Sequence, residues 1–294
     1  MTKKEIKNFF DTQLAAWELA RRNCSDLQRA ELREGVWQDC RLAVQFNPAR
    51  MVSTGAAIDR KTIEQRPCFL CAKNRPPEQV AVPMLGHYEL LVNPFPILPL
   101  HFTLPSTLHE PQHIRTTFID MMRMTALLPG LFLFYNGPRC GASAPDHLHF
   151  QAGQRGIVPV ERDFGLLYRP KGCGEGVFPL CGYVVNGWVI VAKSAEESEK
   201  LFGTLYDTMP QDDESGEPMM NVLAWYEEEE GTYISLILPR CKHRPDCYWA
   251  AGVEKCLVSP GALDMGGLVI TPRKEDFERM TPERLVTILR EVGL

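Results

Sequence analysis

The sequence predicts an α+β fold built from two similar halves, and three observations carry that prediction. Residues 88–93, 97–104 and 131–134 are apolar, β-rich runs, and residues 147–151 alternate polar and apolar, as strands do. Between them residues 110–127 repeat apolar side chains at three- and four-residue steps (Ile114, Phe118, Met121, Met122, Thr125, Leu128), the pattern of an amphipathic helix. After residue 155 the order recurs: a helical stretch at 195–209 precedes Asn221-Val222-Leu223-Ala224-Trp225-Tyr226, as 110–127 precedes Leu131-Phe132-Leu133-Phe134-Tyr135. The reading is therefore an N-terminal half, 1–155, and a degenerate C-terminal half, 156–294.

The 294 residues suffice for one large domain or two average ones, and 45% hydrophobic with 23% charged residues is the balance of a soluble globular protein. A formal net charge of −5 argues against a general nucleic-acid binder while leaving room for a local anion site. No apolar run is long enough to span a bilayer. The opening Met1-Thr2-Lys3-Lys4-Glu5-Ile6 lacks an apolar signal core, which predicts a cytoplasmic protein. Of ten cysteines, eight are scattered singly and read as small buried hydrophobes; only Cys68 and Cys71 form a close pair.

In chain order, Ile6, Phe9, Phe10, Leu14, Trp17 and Leu19 predict a helix over 3–22, and Ser25 a cap for a second over 25–33. Residues 37–46 look extended and end in the turn Asn47-Pro48-Ala49-Arg50. The polar stretch 51–66 carries Arg60, Lys61 and Arg66 after Arg50, and reads either as a solvated loop or as an anion-binding one. Pro94-Phe95-Pro96 makes a corner between the strands at 88–93 and 97–104, and the methionines of 110–127 are core filler. Lys171-Gly172-Cys173-Gly174-Glu175-Gly176 lacks the Gly-Lys-Ser/Thr ending of a P-loop and reads as a flexible connection. Strands are expected at 183–192, 221–226, 232–238 and 267–271, with 227–230 a charged hairpin tip, and a last helix starts from Thr281 with Pro282 in its first turn.

The chemistry concentrates in residues 135–151. A small-residue loop leads into His147-Leu148-His149-Phe150-Gln151, where a period of two puts His147, His149 and Gln151 on one face, alternate residues about 6.6 Å apart. A neutral imidazole is a competent nucleophile toward phosphorus and, as a cationic phosphoramidate, a good leaving group, which suits His149 to two-step nucleotidyl transfer. Gln151 is able to donate to a phosphate oxygen without adding negative charge. In the loop, Gly141 allows close backbone approach to an anion, and Asn136 and Ser143 add side-chain hydrogen bonds. Arg50 joins them as a candidate phosphate contact. Arg66, Lys242, Arg244, Arg273 and Lys274 are further candidates, each taken singly a surface charge.

Cys68 and Cys71 have the C-x₂-C spacing that presents two thiolates to one tetrahedral zinc ion. A pair is half a site, and His101 and His147, each near the end of an expected strand, are the candidates to complete it. Such a site would be closed and structural; the alternative is a reduced pair without metal.

At these residues the chain resembles the histidine-triad superfamily, in its transferase and phosphorylase branch. That branch includes galactose-1-phosphate uridylyltransferase, the dinucleoside polyphosphate phosphorylases and the GDP-hexose phosphorylases. The resemblance implies an antiparallel sheet with flanking helices, with His149 as nucleophile and Gln151 in the position that is Gln in this branch and His in the hydrolases. The motif and the stretch 258–276 look most like the GDP-hexose phosphorylases; the cysteine pair, Pro99-Leu100-His101 and His147 look like the uridylyltransferase zinc ligands. Asp146 is inserted and Leu148 replaces a proline relative to the uridylyltransferase pattern. A homodimer is also implied, and an uncharacterised bacterial family of the branch is similar over the whole chain.

The expected function is transfer of a nucleoside monophosphate from a nucleotide sugar or dinucleotide, through His149, to phosphate or a sugar phosphate, with no nucleic-acid or membrane partner. A dinucleotide or nucleotide-sugar hydrolase and a non-catalytic nucleotide-binding zinc scaffold are the alternatives.

Overall fold

The computed structural model describes residues 1–51, 60–170, 172 and 174–294. Part of the polar stretch 51–66, and Lys171 and Cys173 of the glycine-rich connection, therefore lie outside the described residues.

Thr2 opens helix α1 (Lys3–Ala16) with a reciprocal capping box, its hydroxyl accepting from Glu5 N–H and the Glu5 carboxylate accepting from Thr2 N–H. The helix expected over 3–22 is interrupted at Trp17, whose extended backbone ends α1 and starts α2 (Glu18–Gln28). The break turns the Trp17 ring inward, where it is 5% exposed. The helix expected over 25–33 does not persist past residue 28, because β1 (Glu31–Trp37) folds back on β2 (Cys40–Phe46) in an antiparallel hairpin through Gln38 at φ 52°.

A nine-stranded antiparallel sheet dominates the molecule. Its strands are β3 (Ala81–Met84), β4 (Tyr88–Val92), β5 (Phe102–Pro105), β6 (Leu131–Asn136), β7 (His149–Gln154), β8 (Gly176–Pro179), β9 (Trp188–Ala192), β10 (Met220–Glu227) and β11 (Thr232–Pro239). They lie in the order β3-β4-β5-β7-β6-β10-β11-β9-β8. Five strands from residues 1–155 thus precede four from residues 156–294, and the two groups adjoin where β6 pairs β10, Asn136 opposite Asn221. The strand expected over 97–104 begins only at Phe102, because Leu100 at φ 49° turns the chain out of extended conformation just before it.

One face of the sheet is covered by α3 (Phe118–Leu127) and α4 (Ala195–Tyr206), whose Phe118 and Phe202 rings stack with centroids 3.9 Å apart. Met121, Met122 and Met124 fill this layer with no exposed surface, as core rather than as a ligand box. The other face packs against a three-stranded sheet in which β12 (Leu268–Thr271) runs parallel to β2, and against α5 (Pro282–Val292). β2, early in the chain, is therefore tied to β12 near its end. No helix among the described residues is long and apolar enough to cross a membrane. The described cysteines are all free; Cys24, Cys40, Cys140 and Cys256 are buried as expected of scattered cysteines, whereas Cys181 and Cys241 are exposed.

Candidate active site

β7 starts at His149, so His147 sits in the turn before the strand rather than on it. The five-residue alternation therefore divides, and only His149 and Gln151 share a strand face. The intervening Phe150 is fully buried against the helical layer.

His149 is 4% exposed, and its Nδ1–H donates to the His147 carbonyl at 2.8 Å. That bond fixes the tautomer and leaves the Nε2 lone pair free. Burial pushes the ring's pKa down to about 4, helped by the charge of His147 and opposed by the bond to the His147 carbonyl and by Asp146. At neutral pH the imidazole is unprotonated, the form in which a histidine can act as a nucleophile without a base.

Gln151 is set by His101. Ile97 N–H donates to His101 Nδ1 at 3.3 Å, so the ring carries its proton on Nε2 and donates it to Gln151 Oε1 at 3.0 Å. With its oxygen so occupied, the Gln151 amide presents only its NH₂ elsewhere. Burial pushes His101 down to about 3, against the Gln151 bond, so the ring stays neutral in this donor role.

Both side chains line a cavity of about 610 Å³ whose walls also include Arg50, Asn136, Gly141 and Ser143, the four candidate substrate contacts. Its apolar side is formed by Trp17, Leu91, Phe95 and Ile97. Besides its two histidines, the ionisable side chains lining it are Arg50, Arg66 and Asp264, the last raised above the usual carboxylate range by burial. The Arg50 guanidinium is pushed below its ordinary pKa by burial, with Asp264 acting the other way. Asn136 Oδ1 is already engaged by Ala262 N–H at 2.7 Å and Asn221 Nδ2 at 3.0 Å. Gly141, at φ 99°, is required by packing as well, since a Cβ there would stand 2.8 Å from the Gly261 Cα.

The two predicted zinc cysteines gather two histidines, but not the pair expected. Cys68, Cys71, His109 and His147 bring their ligand atoms within 4.8 Å of one another, a donor set that could hold a metal ion. His101 is corrected out of this set. It lies at the other end of β5, bonded to Gln151, whereas the cluster gathers beyond Ser106, where the chain has left the strand. His147 Nε2–H donates to the Ser106 carbonyl at 2.8 Å, which turns Nδ1 toward the Cys68 Sγ at 3.3 Å. His109 Nδ1 stands 3.3 Å from the Cys71 Sγ, and its other nitrogen faces the Asp146 carboxylate at 3.7 Å. His147 thus has a hydrogen-bonded partner behind it and a lone pair in front, the usual support of a ligating histidine. Burial would raise the Cys68 thiol, but the bond with His147 and the Leu70 and Cys71 amides outweigh it and bring the thiol down to about 6.

Sequence reasoning missed His109 and two further residues. His109 follows an expected strand whereas His101 lies near the end of one, and strand placement favoured His101. Gln112 was read as a helix residue, yet α3 begins only at Phe118, and Gln112 sits fully buried beside His149. Asp264, in a helical turn far along the chain, had no sequence signal.

The buried neutral histidines predict acid sensitivity. Each has a folded pKa below its unfolded value near 6.5, so the unfolded chain binds the extra protons and stability falls as pH drops from about 6.5 through 4 for His149 and 3 for His101. The loss approaches about 3 kcal/mol for His149 alone. Glu217, raised by burial to about 7, opposes this with the contribution of one carboxyl between about 7 and 4.5. Urea midpoints measured at pH 7 and pH 4 should therefore fall on acidification; an unchanged midpoint would contradict the neutral assignment.

Residues 9–154 match the family model described as Domain of unknown function (DUF4922). No curated protein matches the chain in sequence. Among solved structures, yeast Ap4A phosphorylase Apa2 in complex with AMP is similar with a TM-score of 0.60 at 18% identity, over 96% of this chain and 96% of that one. The same enzyme in complex with Ap4A gives 0.58 at 17% identity, over 94% and 96%. An ADP-glucose phosphorylase from Arabidopsis thaliana with bound ADP-glucose gives 0.34 at 14% identity, over 90% and 99%. The chain thus shares the overall fold of the yeast Ap4A phosphorylase, and the DUF4922 match spans the stretch that holds both the histidine strand and the thiol pair.

Proposed function

We propose that the protein is a nucleotidyltransferase of the phosphorylase type, moving a nucleoside monophosphate from a dinucleoside polyphosphate or a nucleotide sugar to phosphate or a sugar phosphate. The observation that carries this reading is the pairing of an unprotonated His149 Nε2 with the outward NH₂ of Gln151 on one face of β7, at the wall of a nucleotide-sized cavity. The likeness in fold to an enzyme crystallised with Ap4A and with AMP supports the substrate class.

In the first step the Nε2 lone pair attacks the α-phosphorus, the bond to the bridging oxygen breaks, and the leaving phosphate departs with that electron pair. Gln151 donates to a non-bridging oxygen as charge shifts onto it, and Arg50 and Arg66 offset the charge of the phosphate chain. In the second step an oxygen of phosphate or of a sugar phosphate attacks the same phosphorus, and the N–P bonding pair returns to Nε2. The ring needs no proton on Nε2 in either direction, which suits a buried imidazole that stays neutral.

Zinc suits the donor set of Cys68, Cys71, His109 and His147, and when bound it would tie the 68–71 turn to the residues that precede β7, a structural role away from the reacting atoms.

The test is to mix enzyme with a labelled dinucleotide or nucleotide sugar in the absence of acceptor. An acid-labile, alkali-stable nucleotidyl-protein is expected, discharged on adding phosphate or a sugar phosphate. Product formation with no adduct, unaffected by added acceptor, would favour hydrolysis; no adduct and no turnover across a panel of donors would sink the reading. Gln151→Glu places a carboxylate where the phosphate oxygen should lie. It should slow adduct formation by about 10²- to 10³-fold in single-turnover measurements.

A further inference from the structure

β6 and β7 pair regularly from Leu131 opposite Gln154 to Phe134 opposite Gln151. Continued in that register, Asn136 would face His149, but the ladder stops short of it. A side chain takes the place of the missing rungs. Gln112 Nε2 donates to the Asn136 carbonyl and to the His149 carbonyl, each at 3.0 Å, and Gln112 Oε1 accepts from His149 N–H at 2.8 Å. The residue has no exposed surface. One primary amide therefore satisfies both backbone groups of His149 and holds the two strands apart at that position.

The loop that delivers this amide is itself tied down. Gln112 N–H donates to the Pro145 carbonyl at 3.1 Å, and its carbonyl accepts from the Tyr135 hydroxyl at 2.9 Å. Leu148 N–H donates to the Glu110 carbonyl at 2.7 Å, and Ile114 N–H to the Glu217 carboxylate at 2.6 Å. His109 stands three residues before Gln112, so one loop serves the thiol cluster and the histidine strand together.

We infer that Gln112 is a positioning residue for His149: its amide wedge sets where the backbone of the nucleophile lies between the strands, and so where the ring meets phosphorus. The inference rests on the proposed role of His149. It follows from what else could occupy the space. A methionine has the length but offers no hydrogen bonds, and a glutamate keeps the acceptor for His149 N–H but turns a carboxylate onto two carbonyl oxygens. Either should shift the nucleophile; of the cavity's other candidate contacts only Asn136 loses a bond, at its backbone carbonyl. A displacement near 1 Å is enough to slow attack by about 100-fold.

The experiment compares wild type with Gln112→Met, Gln112→Glu and Tyr135→Phe by three readouts: single-turnover adduct formation, AMP affinity, and hydrogen exchange of the His149 amide. In Gln112→Met the expected result is adduct formation slower by about 100-fold, AMP affinity within about threefold of wild type, and faster exchange at His149. Gln112→Glu should show the same kinetic split, and it carries the test if the methionine variant does not accumulate folded. Tyr135→Phe leaves the wedge bonds intact and should cost no more than about threefold in rate. Equal losses in Gln112→Met and Tyr135→Phe, or rate and affinity falling together, would mean that the residue only packs the loop, and would overturn the inference. A wild type that forms no adduct removes the nucleophile reading and the inference with it. Wild-type adduct with normal rates in both Gln112 variants overturns the inference alone.

Discussion

His149→Ala is expected to abolish the nucleotidyl-enzyme and to lower turnover by about 10⁴-fold or more, the range seen when a covalent nucleophile is removed. The size of the effect follows from the site's geometry. Besides His149 the described residues lining the cavity offer only one other imidazole, His101, and its Nε2 hydrogen is committed to Gln151 while burial holds it neutral. Among the described residues lining the cavity, no other imidazole is free to take over the attack. The substitution should also leave the fold intact, because the Gln112 amide bonds to the backbone of residue 149 and not to its ring. Nucleotide affinity measured by thermal shift should therefore stay within a few-fold of wild type while the chemistry disappears. Intact-mass measurement after incubation with donor decides the matter: a variant that still gains one nucleoside monophosphate would place the nucleophile elsewhere. A variant that loses affinity and adduct together would make His149 a binding residue instead.

The parts of this arrangement that could be read from the sequence are those governed by local period. Alternation over residues 147–151 puts His149 and Gln151 on one face wherever that strand lies, and helical spacing around Met121 and Met122 identifies a core helix irrespective of its neighbours. The resemblance to the histidine-triad superfamily supplied the antiparallel sheet, and the fold agrees with it. What local pattern cannot encode is how loops deliver single side chains. His101 and His109 are equivalent as letters; the left-handed turn at Leu100 starts β5 late and leaves His101 facing Gln151, while the residues after Ser106 carry His109 to the thiols. Gln112 fits the helical spacing of its neighbours, and only the interrupted pairing of β6 and β7 gives it a different task. The break at Trp17 was similarly hidden, because a tryptophan at an apolar helical position gives no sign that it will end the helix and line a cavity.

Disrupting the thiol cluster should cost stability first and chemistry second. If zinc is held by Cys68, Cys71, His109 and His147, Cys68→Ser and prolonged chelation should each lower the melting temperature by about 10 °C, taking about 4 kcal/mol for the lost tie in a chain of this size. The cluster joins three stretches, the 68–71 turn, the loop bearing His109 and the turn leading into β7, of which the last two are also bonded through Glu110–Leu148 and Gln112–Pro145. Cys68, Leu70 and Ala144 form only a small apolar group of their own, so packing alone gives this corner little strength. His147 is the element that carries the loss to the active site, since its carbonyl accepts the Nδ1–H of His149. A loosened turn would free that carbonyl and with it the tautomer of His149. His101→Ala separates the two readings of the pair, because it removes the support of Gln151 but touches none of the four clustered residues. Metal analysis of the purified protein should accordingly find about one zinc per chain in wild type and His101→Ala, and far less in Cys68→Ser and His109→Ala. Full zinc in His109→Ala with loss in His101→Ala would reverse the assignment, and a metal-free wild type with an unchanged melting temperature under chelation would remove the zinc altogether.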